Sequence, residues 1–526
     1  MKLFFVFNCQ NSFSMVATLS YSLVLPRTEA SWNKIIKKQL LERKPEKAML
    51  TFLRMRELGH SADNFTYPIL LKAAANLSLE GVGIALHGQI IKTGFSDHSF
   101  VQTALLNLYS HLGRNDEAWR VFEKISAKDE VAWNSMLDAY ASVGDMTNAM
   151  TIFDSIPCND LLSWNIMVSG FARIGNLKLA ESFFDQIPTR DIISWNSMIL
   201  ACCNAGEMKR AELYFEEAPS RNTITWNTML TGYSGSGSFD KVIALFEEMK
   251  KDENCNPDYL TIAIVLSACA NLGSLEKGKE VHIFALEEGL TRSPHVTTSL
   301  IDMYSKCGRI MSSIEVFFKS QIKDIYCWNA MISGLALHGH AFAALKLFAA
   351  LMGNDLRPDD ITFIALLSAC AHAGLVLKGL GIFSSMEKEY GISPKLEHYG
   401  CLVDLLSRAG YLDDAFLIIE SMPFEPCKSA LGSLLAACVK YSNAGIAERV
   451  LALLLKRNEE LSDGEYMMMA NLFASCKQYD EANRWIDMMN DSGVTKTAGC
   501  SNVEVNGNIY KFLAGDNNLL MEMQLI

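Results

Sequence analysis

Apolar residues in the middle of the chain follow two nested periods. Between residues 161 and 188 they recur at helical spacing on both sides of Gly175, which predicts two short helices joined by a tight left-handed turn. Pro188 follows the second apolar stripe and ends the second helix. The whole pattern recurs every 31 residues, with a tryptophan at the same place each time: Trp133, Trp164, Trp195 and Trp226.

A repeat of this length predicts a stack of helical hairpins, because one pair of short helices cannot bury both apolar stripes alone. The predicted fold class is all-α, a right-handed α-solenoid of stacked helix-turn-helix repeats with the recurring tryptophans and phenylalanines in its core. Extending the register outward from the centre gives twelve repeats. They begin at Glu29, Asn64, Ser99, Glu130, Leu161, Ile192, Thr223, Tyr259, Pro294, Ile325, Asp360 and Leu396.

Two polar residues recur at fixed places in these repeats, although core packing does not require them. An asparagine directly follows the tryptophan in six repeats: Asn33, Asn134, Asn165, Asn196, Asn227 and Asn329. An aspartate, or in one repeat an asparagine, ends most repeats: Asp63, Asp129, Asp160, Asp191, Asn222, Asp258, Asp324 and Asp359. In a single repeat, helix capping would explain either residue. Their recurrence favours recognition of one nucleotide base per repeat by paired side chains.

The chemistry of these residues is compatible with reading bases. An ionised aspartate is an acceptor only and suits the imino N–H of uracil or guanine, whereas an asparagine can donate to the ring nitrogen of cytosine or adenine. The second residue of most repeats is apolar, and we expect it to pack against the faces of the bases. The central members of this set are Val131, Leu162, Ile193 and Ile224.

The overall charge of the chain does not favour a nucleic-acid partner. Lysine and arginine number 47 against 59 acidic residues, and the net charge of −12 argues against a nucleic-acid partner. The charge that lines one surface matters more than the average, so both alternatives stay open. The 14 cysteines form no C-x-x-C pair and lie mostly within helical stripes, as expected of reduced thiols in a core. No apolar run of about 18 residues predicts a membrane span.

No catalytic chemistry is expected of this chain. A zinc-dependent deaminase needs H-x-E and P-C-x-x-C, neither of which occurs, and the sequence has no phosphate-binding glycine loop. We therefore predict no catalytic residue, no metal and no cofactor, and a protein that is not an enzyme. Residues 1–28 contain four serines, two basic residues and no acidic residue, which predicts an organelle transit peptide. The apolar stretch after Lys2 leaves a secretory signal as the alternative.

Longer motifs connect these repeats with a known family. The chain resembles plant pentatricopeptide-repeat proteins of the PLS type in LIDMYSKCGR (300–309), WNAMISG (328–334), FIALLSACAHAGLV (363–376) and HYGCLVDLLSRAG (398–410). Residues 422–443 and 465–505 resemble the E region of that family, and no DYW deaminase domain follows them in this sequence. The resemblance implies a PLS-type array at 29–428, E-region helical repeats at 429–515 and a C-terminal tail at 516–526.

The resemblance also implies a function. Such a chain would be a sequence-specific single-stranded RNA-binding adaptor that selects a cytidine for C-to-U editing in organelle transcripts. It would recruit a DYW-type deaminase or other editing factors in trans, in the mitochondrion or alternatively the chloroplast, without a membrane partner. A role in organellar RNA splicing, stability or translation stays open, as does a tetratricopeptide-like scaffold that binds protein.

The pairing code of the family assigns bases to the paired residues. Asparagine with aspartate implies uracil, threonine with aspartate implies guanine, and the pair Asn196 and Asn222 implies cytosine or uracil. The two pairs that imply guanine are Thr103 with Asp129 and Thr298 with Asp324. Read 5′ to 3′, the implied RNA is U-n-G-U-U-Y-U-n-G-U-n-n, where Y is a pyrimidine and n has no assigned base.

Overall fold

The structure is a computed structural model that describes residues 28–354, 356–456, 461–505 and 508–514. The predicted transit peptide, apart from Thr28, and the predicted tail at 516–526 lie outside the described residues. The described chain is almost entirely helical, with 28 α-helices that alternate between two roles. We call the first helix of each hairpin the A helix and the second the B helix.

The A helices are the odd-numbered ones: α1 (Glu29–Leu41), α3 (Thr66–Asn76), α5 (Ser99–His111), α7 (Glu130–Ser142), α9 (Leu161–Arg173), α11 (Ile192–Asn204), α13 (Thr223–Gly235), α15 (Tyr259–Leu272), α17 (Pro294–Lys306), α19 (Ile325–Leu337), α21 (Asp360–Ala373), α23 (Leu396–Arg408), α25 (Lys428–Tyr441) and α27 (Asp463–Ser475).

The B helices are the even-numbered ones: α2 (Pro45–Glu57), α4 (Glu80–Thr93), α6 (Asn115–Lys124), α8 (Met146–Ser155), α10 (Leu177–Asp185), α12 (Met208–Glu217), α14 (Phe239–Met249), α16 (Leu275–Glu287), α18 (Ile310–Lys319), α20 (Ala341–Met352), α22 (Val376–Lys388), α24 (Leu412–Ser421), α26 (Ala444–Lys456) and α28 (Tyr479–Asp491).

The hairpins stack in a regular way within each of two compact parts of the chain, Met1–Glu217 and Ala218–Ile526. In both parts each A helix packs on the A helices of the neighbouring repeats, and most B helices pack on their own A helix and on the next one. Each hairpin therefore buries its apolar stripes against its neighbours, as a solenoid requires. The predicted α-solenoid fold is confirmed.

The glycine between the A and B helices has the predicted left-handed conformation. Gly144, Gly175 and Gly206 have φ of +82°, +74° and +75°. A side chain with a Cβ atom is strained in this region, whereas glycine enters it at little cost. The glycine at this place in each central repeat therefore ends the A helix and turns the chain toward the B helix.

A recurring aromatic contact joins neighbouring repeats. A phenylalanine on one B helix meets the tryptophan of the next A helix edge-to-face, which is a favoured geometry for aromatic pairs. In the first part the ring centroids are 4.9 Å apart for Phe122 and Trp133, 4.8 Å for Phe153 and Trp164, and 5.2 Å for Phe184 and Trp195. The three phenylalanines and Trp195 are buried in the core, as expected, whereas Trp133 and Trp164 are half-buried.

The C-terminal end of the described chain corrects one expectation. Helical repeats were expected as far as residue 515, but β1 (Cys500–Val505) and β2 (Asn508–Leu513) form an antiparallel pair, with Cys500 opposite Leu513. The sequence explains the strands, since VEV and IYKF alternate with period two and are separated by Asn-Gly, the dipeptide that two-residue hairpins favour.

Strand β1 is held against a distant helix of the same part. The Glu504 carboxylate accepts hydrogen bonds from the backbone N–H groups of Leu275 at 2.7 Å and Glu276 at 3.2 Å. The Ser274 hydroxyl lies 3.2 Å from the same carboxylate. These N–H groups belong to the first turn of α16, where no helical partner is available to them. An acidic side chain from the hairpin therefore caps a helix about 230 residues earlier.

The described residues show neither a membrane-spanning helix nor a cluster of metal ligands. None of the helices in these ranges combines the length and apolar character needed to cross a bilayer. In the same ranges, no three His, Cys, Asp or Glu side chains come together in a way that could hold a metal ion. The thirteen cysteines there are all unbridged, and burial raises the pKa of the Cys202 and Cys269 thiols to about 12.

Candidate nucleic-acid interface

The residues predicted to read bases lie near the starts of the A helices. Each of the eight aspartate or asparagine residues that end a repeat lies ahead of the next A helix, and its side chain accepts a backbone N–H from the first turn. The distances are 2.7 Å from Thr66 to Asp63, 2.8 Å from Ala132 to Asp129, 2.7 Å from Ser163 to Asp160, 2.9 Å from Ser194 to Asp191, 2.9 Å from Thr225 to Asn222, 2.9 Å from Thr261 to Asp258, 3.0 Å from Cys327 to Asp324 and 2.8 Å from Thr362 to Asp359. Helix capping is thus one function of the whole set.

The asparagine of a repeat and the aspartate that ends the same repeat are hydrogen-bonded to each other. The asparagine Nδ2 donates to the carboxylate at 3.0 Å for Asn33 and Asp63, 3.0 Å for Asn134 and Asp160, 3.2 Å for Asn165 and Asp191, 3.1 Å for Asn227 and Asp258, and 2.9 Å for Asn329 and Asp359. Because the aspartate caps the next A helix, the pair joins two neighbouring A helices. This contact is not evident from the positions of the two residues in the sequence.

The asparagines of these pairs are well covered, with between 4% and 9% of their surface exposed. Their aspartate partners are half-buried. The asparagine amide therefore does not project freely toward solvent, and it is held at the edge of the A-helix layer by the carboxylate. Asn196, on α11 in the first part, is half-buried, and so is Asn222, which caps α13 in the second part.

The two oxygens of the central aspartates have separate roles. In Asp191, Asp258 and Asp359 the Oδ1 atom accepts both the capping N–H and the asparagine amide. Their Oδ2 atoms receive no hydrogen bond from the described residues, and they are not among the buried polar atoms that lack a partner. Each Oδ2 atom is therefore an acceptor in contact with solvent.

The charge state of this acceptor follows from its environment. Burial acts to raise the pKa of Asp63 and Asp191, but hydrogen bonds outweigh this effect. The donors to Asp63 include Thr66 and Asn33, and the donors to Asp191 include Ser194 and Asn165. The resulting pKa of both carboxyl groups lies below the ordinary value. These aspartates are therefore ionised at neutral pH and act only as acceptors.

The two repeats with threonine in place of asparagine are arranged differently. The Thr103 hydroxyl donates to the carbonyl oxygen of Ser99 at 3.1 Å, and the Thr298 hydroxyl lies 3.2 Å from the Cys327 sulfur. Within the described residues neither threonine is hydrogen-bonded to the aspartate that ends its repeat. Asp129, the partner of Thr103, is exposed, so its carboxylate is less constrained than those of the asparagine repeats.

Exposed apolar side chains recur next to the paired residues in the sequence. Each of the four central members is the second residue of an A helix, one turn from the capping residue. Their exposed fractions are 56% for Val131, 53% for Leu162, 55% for Ile193 and 63% for Ile224. Large apolar side chains that recur without a packing partner are typical of a contact surface for a ligand.

The structure adds one set of polar residues that the sequence pattern did not indicate. The third residue of several repeats is a buried serine or threonine whose hydroxyl lies within hydrogen-bond distance of the asparagine in the preceding repeat: Thr66, Ser194, Thr261 and Thr362. The available signal was the spacing D-x-x-[ST], which is the pattern of a capping box.

Comparisons with known proteins agree with the repeat register. A model described as PPR repeat matches residues 103–129, 131–161, 162–192, 193–222, 296–325, 326–356 and 397–427. Models described as PPR repeat family and pentatricopeptide repeat domain match residues 221–271 and 346–408.

Similar proteins place the chain in a family of plant helical-repeat proteins. A pentatricopeptide repeat-containing protein of Arabidopsis thaliana is 47% identical over 489 residues, which cover 92% of this chain and 81% of the relative. The Arabidopsis protein ELI1, chloroplastic, is 41% identical over 261 residues, 49% of this chain and 41% of that protein. The crystal structure of PPR10 from maize shares the fold, with a TM-score of 0.51 and 16% identity over 89% of this chain and 74% of PPR10. The chain belongs to the pentatricopeptide-repeat family.

Proposed function

We propose that this protein is a sequence-specific single-stranded RNA-binding adaptor that selects a cytidine for C-to-U editing in organelle transcripts. The observation that carries the proposal is the repeated arrangement at the A-helix starts. Repeat after repeat places an ionised carboxylate, an amide held beside it and an exposed apolar side chain within one helical turn. Bases splayed from a single strand are bound in this way, by stacking on side chains and by hydrogen bonds to their edges.

The proposed bases are those that the family's pairing code implies, and the chemistry of the side chains is compatible with them. A solvent-facing Oδ2 atom that is ionised accepts an imino N–H, which uracil and guanine offer. Asparagine beside that acceptor is assigned to uracil, as in the pairs Asn165 with Asp191 and Asn227 with Asp258. Thr103 with Asp129 and Thr298 with Asp324 are assigned to guanine, and Asn196 with Asn222 to cytosine or uracil.

The editing role is the finer part of the proposal. It is supported by the alternation of repeat lengths typical of the PLS type and by the similarity of residues 422–443 and 465–505 to the family's E region. The chain itself is proposed to carry no deaminase activity and to recruit a DYW-type deaminase in trans. We propose an organellar location, the mitochondrion or alternatively the chloroplast, and ELI1 is a relative named as chloroplastic.

The RNA-binding step is tested by gel shifts with the full chain. We expect the RNA U-n-G-U-U-Y-U-n-G-U-n-n to bind more tightly than copies in which one assigned base is exchanged. Asn165→Ala should weaken binding by about 1–3 kcal/mol, chiefly when the base opposite that repeat is uracil. Asn271→Ala is the control, because Asn271 lies at the far end of an A helix and bonds only the Ser267 carbonyl oxygen. Equal affinity for matched and exchanged RNA would contradict the proposal.

The editing step needs a separate experiment in the plant. A disruption line should lose C-to-U conversion at a cytidine just 3′ of a transcript segment that matches the RNA above, as measured by organelle RNA sequencing. Retained introns or lost transcript ends with normal conversion would instead favour the splicing or stability role.

A further inference from the structure

The hydroxyl group on the third residue of several repeats contacts the preceding repeat. Its oxygen lies 2.8 Å from the Oδ1 atom of the asparagine for Thr66 and Asn33, 2.7 Å for Ser194 and Asn165, 2.7 Å for Thr261 and Asn227, and 2.7 Å for Thr362 and Asn329. All four hydroxyl-bearing residues are fully buried. The contact therefore belongs to the packed edge between repeats and excludes water from the asparagine oxygen.

The direction of this hydrogen bond is fixed by the capping geometry. The backbone N–H of Asp258 donates to the Thr261 hydroxyl oxygen at 3.1 Å, and the other three sites have the same bond at 3.1 to 3.3 Å. The hydroxyl has one proton, and the acceptors within reach are the asparagine Oδ1 and the aspartate Oδ1. Both are acceptors only, so they share this one proton, and toward the asparagine Oδ1 the hydroxyl acts only as a donor.

Two contacts together set the orientation of the asparagine amide. The hydroxyl donor faces Oδ1, and the carboxylate faces Nδ2. A reversed amide would place Oδ1 against the carboxylate and would remove the asparagine oxygen as an acceptor for the hydroxyl proton. Both changes disfavour the reversed orientation, so the hydroxyl strengthens a preference that the carboxylate already sets.

The fixed orientation determines what the repeat offers to a base. The Oδ1 atom is occupied by the hydroxyl, and one Nδ2 hydrogen is occupied by the aspartate. In the repeats that end at Asp191, Asp258 and Asp359, the remaining polar groups are the second Nδ2 hydrogen and the Oδ2 atom of the aspartate. A donor beside an anionic acceptor is complementary to the carbonyl oxygen and adjacent imino N–H of uracil.

We propose that this hydroxyl is a positioning residue for base selection, acting through the asparagine of the preceding repeat. It does not itself contact the RNA. Its role rests on the proposed RNA-binding function and adds a third side chain to the determinants of four of the five positions assigned to uracil. The four sites are Thr66, Ser194, Thr261 and Thr362.

The chain contains a natural comparison for this role. Ser163 occupies the same place as Ser194, one repeat earlier, and is equally buried. Its hydroxyl donates to the Asp160 carbonyl oxygen at 2.8 Å and makes no hydrogen bond to Asn134 among the described residues. Asn134 is held by the carboxylate of Asp160 alone. Removing the Ser163 hydroxyl therefore disturbs a helix start without releasing an asparagine.

The test compares Ser194→Ala with Ser163→Ala in the full chain. For each variant, affinity is measured for RNA with uracil or cytosine at the position opposite the affected asparagine, together with the thermal midpoint. In Ser194→Ala the preference for uracil opposite Asn165 should fall about fivefold, the effect of losing one hydrogen bond of about 1 kcal/mol. In Ser163→Ala the preference opposite Asn134 should change less than twofold. Ser194→Thr keeps the hydroxyl and should keep the preference.

A double variant separates positioning from a general loss of stability. If the hydroxyl acts through the amide, Ser194→Ala should not reduce the uracil preference further once Asn165 is replaced by alanine. Equal losses in Ser194→Ala and Ser163→Ala, or additive effects in the double variant, would overturn the proposal. A wild-type chain with no uracil preference anywhere would instead refute the RNA-binding function on which it rests.

Discussion

At the scale of single residues, helix capping and ligand recognition are not competing explanations. The Oδ1 atom of Asp191 holds the start of α11 and the Asn165 amide, while its Oδ2 atom stays available to an outside donor. Capping fixes where the carboxylate lies, and this fixed position is what a base-reading group needs. The same side chain can therefore stabilise the repeat and read a base.

The lowered pKa of Asp191 gives a prediction about acid stability. Because the folded pKa lies below the ordinary value, ionised Asp191 stabilises the fold above about pH 4, and this contribution is lost as the pH falls through the folded pKa. Asp191→Asn keeps a capping side chain, as Asn222 shows at 2.9 Å, but removes the charge. Urea unfolding from pH 7 to pH 3 should show the variant slightly less stable at pH 7, by less than about 1 kcal/mol, with the difference shrinking toward pH 3. A difference that grew on acidification would contradict this assignment.

The residue pattern indicates which polar residues recur at the starts of the A helices, but it does not show their contacts. The asparagine and aspartate series stand out because a fixed period repeats them, and a period is visible in the sequence. The bond between Asn227 and Asp258 depends on how one A helix lies against the next. The Thr261 hydroxyl contact depends on the same packing, so neither bond can be read from spacing alone.

At the scale of helices and strands, most boundaries could be predicted because local signals and the repeat period agree. Eleven of the twelve predicted repeat starts coincide with the first residue of an A helix. The exception is the second repeat, expected from Asn64, where α3 begins at Thr66. The Asp63 carboxylate accepts the N–H groups of both Phe65 and Thr66, as the Asp258 carboxylate does at α15, so capping does not explain the later start of α3. The strands near the C-terminus were missed because the helical register was extended past the point where the alternation changes to period two.

The contact of the strand β1 with α16 predicts local protection of backbone amides. Glu504→Ala should speed hydrogen exchange at the Leu275 and Glu276 N–H groups about fivefold, because each loses an acceptor that contributes about 1 kcal/mol. Glu504→Gln should have a smaller effect, since the amide oxygen still accepts. The start of α22, which has no side-chain cap, is the control and should exchange at an unchanged rate. Unchanged exchange at α16 in Glu504→Ala would show that the hairpin is not held there in solution.

The aromatic contact between repeats gives a prediction about coupling. Phe184 is buried against Trp195, so Phe184→Ala should lower the free energy of unfolding by about 3–5 kcal/mol. A double-mutant cycle with Trp195→Ala should give a coupling of about 0.5–1.5 kcal/mol, measured by chemical denaturation. The control cycle pairs Trp195 with Phe122, which packs on Trp133, and should give additive losses. Additive losses for Phe184 and Trp195 would show that the ring contact adds nothing to burial.

At the scale of the whole molecule, the acidic balance and the proposed RNA partner are reconciled by where the charges lie. The basic residue just before several capping residues is the cation nearest the interface in sequence. In three repeats it stacks over the phenylalanine of its own B helix, where it covers the core. The pairs are Lys128 with Phe122 at 5.0 Å, Arg190 with Phe184 at 4.3 Å and Lys323 with Phe317 at 5.4 Å. In these three repeats the residue that follows the cation is a capping aspartate, and a carboxylate suits base edges better than phosphates. Lys395, at the start of α23, is paired with Asp360.

This distribution of charge predicts that RNA binding depends only weakly on salt. Each phosphate contact on a single strand adds about −0.7 to the slope of log affinity against log salt concentration. A chain with a net charge of −12 that reads base edges through neutral and anionic groups should make fewer than about four such contacts, which corresponds to a slope shallower than about −3. Titrations from about 50 to 300 mM salt with matched and base-exchanged RNA measure the slope, and both RNAs should share it because the exchange changes only base contacts. Arg190→Gln should change the slope by less than the contribution of one phosphate contact, since the Arg190 guanidinium stacks over the Phe184 ring. A slope steeper than about −5 would mean that a track of cations on another surface carries the binding, and the A-helix starts would then not be where the RNA lies.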